Sequence, residues 1–279
     1  MNRTLIAALL AAVSVCASLQ PAQAQEALWN HLRNNNPNMA ALQPAWISPL
    51  IQSDARILQG ARFSVSRASA PGAEIFSYGN NHGFGVIAGD RFEFDFNPPA
   101  FFRNHSAALP DGWGNASTQV KFRIASGNAE HGNFAVSAML EHAFAAGASE
   151  NAMLSAWDMP RLAAGKSFGR FDVQSTLGGI LPAAKIDRQG RAIEWNFAGQ
   201  LHTSTRTWCD IENNATFILG GPDDGQTQNF ITPAAFLIVK RSAWGSRHPM
   251  AVFDGGMQIA TTHFNFYNHN LIAELRVLF

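Results

Sequence analysis

Side chains that could hydrolyse an ester form three short groups: Glu141-His142, His202 with Ser204, and His269-Asn270. A serine activated by a histidine, with an acid or amide partner that orients the ring, is the arrangement such chemistry requires. None of the three groups reproduces a His-x-Ser-Asn pattern. The sequence therefore ranks a hydrolase below functions that need no catalytic residues.

Metal, cofactor and nucleic-acid sites find equally little support. The 9 histidines contain no pair at spacings of two or four residues, so no metal site and no cofactor is expected. The Gly79–Gly83 stretch does not join a strand to a helix, as a phosphate-binding loop would. A net charge of zero and a pI near 7.1 argue against a nucleic-acid partner.

Composition separates this chain from an ordinary soluble domain. Only 14% of its 279 residues are charged and 47% are apolar, with 21 phenylalanines but 2 tyrosines. An average domain carries roughly 25% charged residues. Apolar surface is therefore plentiful, and the question is which way it faces.

Residues 1–24 have the form of an export signal. Arg3 supplies a weak positive start, Leu5 to Val15 form the apolar stretch, and Ala22-Gln23-Ala24 offers a cleavage site. Cys16 raises the alternative of a lipid anchor, against which the bulky Val15 argues. Removal of the signal leaves a net charge of −1 and Cys209 as the one cysteine, so no internal disulfide is expected.

Residues 25–59 are irregular, with an Asn-rich stretch around Pro37 and further breaks at Pro44 and Pro49. We interpret them as a periplasmic N-terminal segment. A tether is favoured over a plug inserted into a lumen.

From residue 60 to residue 279 the dominant hydrophobic period is two. In Ile193 to Thr203, for example, Ile193, Trp195 and Phe197 alternate with polar residues. Such segments predict strands with one apolar and one polar face. Twelve strands are predicted: 60–67, 73–88, 91–96, 117–126, 133–145, 160–168, 171–181, 193–203, 207–219, 228–240, 249–262 and 268–279.

The number and length of these strands indicate an all-β fold, a transmembrane antiparallel up-and-down barrel. The count is even, and most strands are long enough to cross a bilayer at a tilt. The connections near 97–116, 146–159, 182–191 and 220–227 are long, and the alternate ones are short, with 241–248 as an exception. Long loops on one side and short turns on the other are typical of outer-membrane barrels.

The last strand carries the most specific signal. Its apolar row ends in an aromatic residue at the C-terminus and consists of Leu271, Ala273, Leu275, Val277 and Phe279. This row resembles the signature by which the barrel assembly machinery recognises its clients. That machinery and outer-membrane lipid are the expected partners, in a Gram-negative type of envelope.

Charged residues on the polar face are expected to line a lumen, where acids outnumber bases. Two hypotheses remain open: the charges pair across a packed interior, or they line a water-filled path and set its ion preference. The lumen-lining residues are predicted to be Arg91, Glu93, Asp95, Lys121, Arg123, Glu141, Asp172, Glu194, His202, Asp210, Glu212, Asp254, Glu274 and Arg276.

The order of several short segments resembles a family of outer-membrane transporters named for the meta pathway of phenol degradation. The segments that carry the likeness are Gly89 to Phe94, Gly112-Trp113-Gly114 with Gln119 to Arg123, Ala164 to Gly169 with Phe171-Asp172-Val173, Asp210-Ile211-Glu212, and Thr232-Pro233 with Phe236. The family's Pro-Thr-Gly element is missing near Ala145-Ala146-Gly147, and Leu181-Pro182 appears later instead. The resemblance implies a transporter barrel with no established substrate.

The sequence thus predicts an outer-membrane channel or transporter for a small-molecule solute. The alternative is a closed structural or adhesion barrel that acts through its long loops, especially 97–116 with Phe101, Phe102 and Trp113. A lipid-hydrolysing barrel is the third hypothesis.

Overall fold

The structure is a computed structural model that describes residues 41–70, 72–80, 83–106, 109–145, 151–152, 154–241 and 250–278. The predicted export signal, Phe279 and most of the 241–248 connection lie outside the described residues.

The described chain is almost entirely β-structure. No helix among the described residues is long and apolar enough to cross a membrane. The elements are β1 (Gly60–Ala70), β2 (Ala73–Tyr78), β3 (Gly83–Ala88), β4 (Phe92–Asn97), β5 (Phe101–His105), β6 (Gly112–Trp113), β7 (Ser117–Gly127), β8 (Phe134–Ala143), β9 (Trp157–Phe168), β10 (Phe171–Pro182), α1 (Ile186–Gln189), β11 (Arg191–His202), β12 (Thr207–Leu219), β13 (Thr227–Arg241), β14 (Met250–Ala260) and β15 (His269–Leu278).

These strands form one closed antiparallel barrel, because β15 pairs with both β14 and β1. The barrel has twelve strand positions. β2 and β3 together occupy the second position, and β4 and β5 together occupy the third. The predicted fold class and the number of strands are therefore confirmed.

The breaks in the second and third strand positions each have a local cause. The second is interrupted after Tyr78 at Gly79, whose φ of 84° is a left-handed conformation that glycine adopts without strain. The third is interrupted at Pro98-Pro99, which offer no amide hydrogens to a ladder. The 97–116 stretch, predicted as a loop, consequently contains β5 and β6, which extend the sheet beyond the prolines.

The inner face of the barrel is mostly polar and the outer face is apolar, the reverse of a water-soluble barrel. The most deeply buried side chains include Gln174, Gln200, Glu212 and Glu274. Large apolar side chains cover the outer face, among them Phe63, Phe94, Leu140, Leu162, Leu177, Trp195, Ile211, Leu237, Phe253 and Leu275. Alternation along each strand places the two sets on opposite faces.

The two rims differ in loop length. The rim that holds the start of β1 and the end of β15, called here the terminal rim, has the short turns 89–91, 128–133, 169–170 and 203–206. The opposite rim, called the loop rim, has a short turn at 71–72 and the connections 98–116, 144–156, 183–190, 220–226 and 261–268. The predicted alternation of short and long connections is present among the described residues.

The apolar outer face predicts a depth-dependent cost of charge. We expect Leu177→Arg, half-way along β10, to lower the free energy of unfolding in lipid vesicles by about 2–4 kcal/mol, because the cation would enter hydrocarbon. The control Leu219→Arg, at the loop-rim end of β12, should cost at most about 1 kcal/mol. Denaturant titration followed by tryptophan fluorescence measures both, and equal losses would contradict a lipid-facing band.

Candidate functional site

Residues 41–59 lie inside the barrel and form what we call the plug. They enter at the terminal rim, where Ser126 Oγ donates a hydrogen bond of 2.7 Å to the Leu42 carbonyl. They return to the same rim at Gly60, where β1 begins. The preference for a tether was wrong for this stretch, because twelve strands enclose more space than their own side chains fill.

The tip of the plug is held by one buried carboxylate. Glu212, on β12, is 0% exposed and accepts hydrogen bonds from three successive backbone amides, those of Leu50 at 2.6 Å, Ile51 at 3.0 Å and Gln52 at 2.9 Å. Each of these hydrogen bonds satisfies a backbone donor that burial would otherwise leave unpaired, at a cost of roughly 1–3 kcal/mol. Glu212 is thus the principal polar anchor of the plug tip.

A buried arginine holds the ascending part of the plug. Arg276, on β15, donates hydrogen bonds of 2.7 Å to the Ser48 carbonyl and 2.9 Å to the Pro49 carbonyl. It also pairs with Asp254 at 2.6 Å and with Glu274. Its charge is therefore neutralised by the wall, while its remaining donors bind the plug backbone.

A third contact holds the descending part. Lys121 Nζ lies 3.1 Å from both Glu93 carboxylate oxygens and donates a further bond of 3.1 Å to the Arg56 carbonyl. Glu93 in turn accepts the Leu58 amide hydrogen at 2.6 Å. As with Arg276, an ion pair on the wall also binds main-chain groups of the plug.

The plug has its own ionic centre. Arg56 Nη2 lies 2.6 Å from Asp54, whose carboxylate also accepts hydrogen bonds from Ser48 Oγ at 2.6 Å and Trp46 Nε1 at 3.2 Å. Burial alone would raise the pKa of Asp54, but the charges of Arg56 and Lys121 and these hydrogen bonds outweigh burial and lower the pKa to about 2.

Apolar contacts hold the base of the plug. Trp46 packs among Ala135, Met139 and Ala163, and a Cβ atom at Gly165 would approach the Trp46 ring to 2.7 Å. Ile47 and Leu50 belong to a second apolar cluster that includes Phe236, Val252 and Ile272. The base around Trp46 is therefore anchored by packing, whereas the tip combines hydrogen bonds to Glu212 with the apolar packing of Leu50.

Arg161 is a central lumen residue that the sequence analysis missed. It bridges Glu141 at 2.7 Å and Glu194 at 3.1 Å, on the loop-rim side of the plug tip. The alternation of Arg161, Ala163 and Gly165 against the outward Leu162 was the signal that could have found it.

The described part of the lumen contains a larger and a smaller cavity. The larger, of about 710 Å³, runs beside the plug and is lined by residues near both ends of β1, from Gly60 and Ala61 to Ser66 and Ala68. It exists on this side because the inward residues of β1 and β3 are mostly small. The smaller, of about 230 Å³, lies over the plug tip at Ile51–Ser53, between it and the loop rim.

Most predicted lumen residues occupy inward positions. Arg91 is the exception, since it is exposed in the turn before β4. Arg123 and His202 lie near the terminal rim, where Arg123 donates to the Asp90 carbonyl and His202 stacks on Trp208 with ring centroids 4.0 Å apart. The inward set is Glu93, Asp95, Lys121, Arg123, Glu141, Asp172, Glu194, His202, Asp210, Glu212, Asp254, Glu274 and Arg276.

The candidate catalytic groups are scattered. His142 lies on the outer face, 2.8 Å from Asp158. A His-x-Ser-Asn pattern would have a serine two residues after the histidine, where this chain has Phe144. Ser204 is exposed in a turn, and His269 is exposed at the loop-rim end of β15. Among the described residues, no three His, Cys, Asp or Glu side chains form a group that could hold a metal ion.

The last strand has the expected alternation. Leu271, Leu275 and Val277 are exposed on the outer face of β15, and Ala273 is half-buried on the same face. Phe279 lies outside the described residues, and recognition by the assembly machinery stays a prediction.

Comparison with known proteins gives likeness in structure alone. No family model and no curated protein matches the chain. The NanC porin structure aligns over 78% of this chain and 98% of its own, with 6% identity and a TM-score of 0.51. A porin refined at 1.8 Å aligns over 75% of this chain and 63% of its own, with 12% identity and a TM-score of 0.37. OmpT, an outer membrane protein of Vibrio cholerae, aligns over 83% of this chain and 100% of its own, with 10% identity and a TM-score of 0.37. The likeness to NanC shows that the fold is that of an outer-membrane β-barrel.

The ionic centre of the plug predicts an acid-sensitive segment. A carboxyl group whose pKa falls from 3.8 unfolded to about 2 folded stabilises the docked plug above about pH 4 and loses this effect as the pH falls towards 2. The contribution is about 2 kcal/mol. We expect Asp54→Asn to weaken hydrogen-exchange protection of residues 46–57 at pH 5. The wild type should lose protection of these residues between pH 5 and pH 2.5, and the variant should show little of that further loss. Asp187→Asn, in the exposed helix α1, is the control and should behave as wild type.

Proposed function

We propose that the protein is an outer-membrane channel for small polar solutes whose lumen is narrowed from the terminal rim by its own N-terminal plug. The observation that carries this proposal is the cavity of about 710 Å³ beside the plug, which is lined by residues near both ends of β1. A solid core would leave no such space. Its wall includes Glu93, Asp95, Gln119 and Arg161, which are groups that water solvates well.

The way the plug is held supports a reversible obstruction. Water entering a lumen can replace the hydrogen bonds between Glu212 and the amides of Leu50 to Gln52, because each such bond is an exchange with solvent. The apolar base around Trp46 and Ile47 has no comparable substitute. We therefore expect the tip to move while the base stays docked.

The location and partners follow from the same proposal. The apolar outer face suits lipid, and the likeness to outer-membrane barrels favours that membrane. The terminal rim with its short turns would face the periplasm, and the apolar row of β15 would be read by the assembly machinery. Membership in the phenol-pathway transporter family is part of this proposal and rests on the segment resemblance.

A second candidate is a closed structural or adhesion barrel. The filled centre of the lumen favours it, as does Trp113, which is exposed on the loop rim. This alternative predicts an interior that carries no current under any substitution of the plug anchors.

Planar-bilayer recording tests the channel directly. We expect Glu212→Ala to raise the mean conductance severalfold over wild type, because three backbone amides of the plug tip lose their acceptor. Glu212→Gln, which keeps one acceptor oxygen, should fall between the two. Glu74→Ala is the matched control, since Glu74 pairs with Arg67 at the exposed loop rim and does not touch the plug. Absence of current from wild type and both Glu212 variants, each with the heat-modifiable mobility of a folded barrel, would favour the closed barrel.

A further inference from the structure

The space over the plug tip has a lining unlike the rest of the lumen. We call this space, on the loop-rim side of Ile51–Ser53, the vestibule. Gln52, Arg161, Gln258 and Tyr267 line both the small cavity and the large one, so the two meet here. Neutral amides and hydroxyls dominate the small cavity, and they belong to Gln52, Ser53, Asn196, Asn214, Thr216, Gln228 and Gln258.

Two of these amide side chains, among the described residues, have buried polar atoms without a protein partner. Within the described part of the chain, Gln52 is 4% exposed and neither its Nε2 nor its Oε1 bonds to another protein group. Gln228 is 7% exposed, and its Nε2 likewise bonds to no other group of the described residues. Native proteins seldom leave a buried polar group unpaired without a role. Both residues line the small cavity, but the unpaired atoms themselves are covered, so an occupant reaches them after a rotation of the side chain.

The charges around the vestibule disfavour an anionic occupant. Arg161 is the cation of the small cavity, and its guanidinium is already shared between Glu141 and Glu194. With two carboxylates against one guanidinium, this group is slightly negative and repels anions. The guanidinium fork that would bind a carboxylate or phosphate bidentately is occupied.

An aromatic surface completes the wall. The Tyr267 ring stacks on Phe230 with centroids 4.7 Å apart, and its hydroxyl donates to Gln258 Oε1 at 2.9 Å. Burial raises the pKa of Tyr267 to about 12, so the phenol stays neutral. Flat rings beside amides bind molecules that combine C–H faces with many hydroxyl groups.

We propose that the vestibule is a binding site for a neutral polyhydroxylated solute, of the mono- or disaccharide class, that hydrogen-bonds to the side chain of Gln52. This inference rests on the proposed channel function and names the class of solute that the channel admits. Amides that can both donate and accept match hydroxyl groups that do the same. The small cavity, of about 230 Å³, adjoins the larger one of about 710 Å³, and the larger volume is within the range of ordinary ligand sites, roughly 300–1,000 Å³.

Binding is measured on the full-length barrel in detergent micelles, by saturation-transfer NMR and isothermal titration. The probes are maltose and sucrose as neutral sugars, glucuronate as an anion, and benzoate as an aromatic acid. We expect saturable binding of a neutral sugar with a Kd below about 100 mM, and weaker binding of both anionic probes.

Gln52→Met keeps the length of the side chain and removes its polar atoms. It should weaken sugar binding about five- to tenfold, as expected for one or two lost hydrogen bonds. Gln226→Met is the matched control, since Gln226 is exposed in the 220–226 loop away from the vestibule. Gln228→Met serves as a second variant if Gln52→Met fails to fold.

The proposal is overturned if no neutral sugar binds, if benzoate or glucuronate binds more tightly, or if folded Gln52→Met binds as wild type does. The outcomes are separable from those of the channel test. Sugar binding without conductance would refute the channel and retain the vestibule site. Conductance without sugar binding would retain the channel and refute the site.

Discussion

A carboxylate inside a barrel must find partners for its charge, and the wall of this barrel does not supply enough of them. Glu212 accepts its hydrogen bonds from the main chain of the plug, at Leu50 to Gln52, and no ion pair joins it to a cation among the described residues. Without these amides the buried carboxyl group would lose three hydrogen-bond partners, and each polar group left unpaired costs roughly 1–3 kcal/mol. The plug and the charged residues of the barrel wall therefore stabilise each other. In a lumen without water, each would leave polar groups without hydrogen-bond partners if the other were absent.

The same constraint explains why the lumen is filled unevenly. Arg276 and Lys121 both use donors left over from their ion pairs to bind plug carbonyls, at Ser48, Pro49 and Arg56. These anchors set the path of the plug inside the barrel. Ser66 and Ala68 offer only small side chains on the β1 side of the lumen, where they line the large cavity. The packing deficit therefore collects there, as a cavity beside the plug rather than as scattered voids.

The closed barrel could be predicted from sequence because its cause is local and repeated. A strand between lipid and a polar interior must alternate, and Ile193 to Phe197 does so without reference to any other segment. The plug could not be predicted in this way. The bond between Leu50 and Glu212 joins residues 162 positions apart, and the plug has no period of its own. Arg161 was missed for a different reason. Its strand also carries Lys166 on the outward side, so charged residues occur on both faces. The sequence pattern then does not show which face points inward.

The two ends of the lumen differ in chemistry, and Gln52 lies where they meet. Towards the terminal rim the wall carries ion pairs whose cations donate hydrogen bonds to the main chain of the plug. Towards the loop rim it consists of amides around Tyr267 and of the ion pairs of Arg161 with Glu141 and Glu194. The backbone amide of Gln52 donates to Glu212 at 2.9 Å, while its side chain lines the vestibule without a protein partner among the described residues. A solute bound to that side chain and the carboxylate that holds the plug tip therefore act on the same residue. Any solute that binds the docked and displaced tip with different affinity must shift the balance between them, by the free energy of that difference.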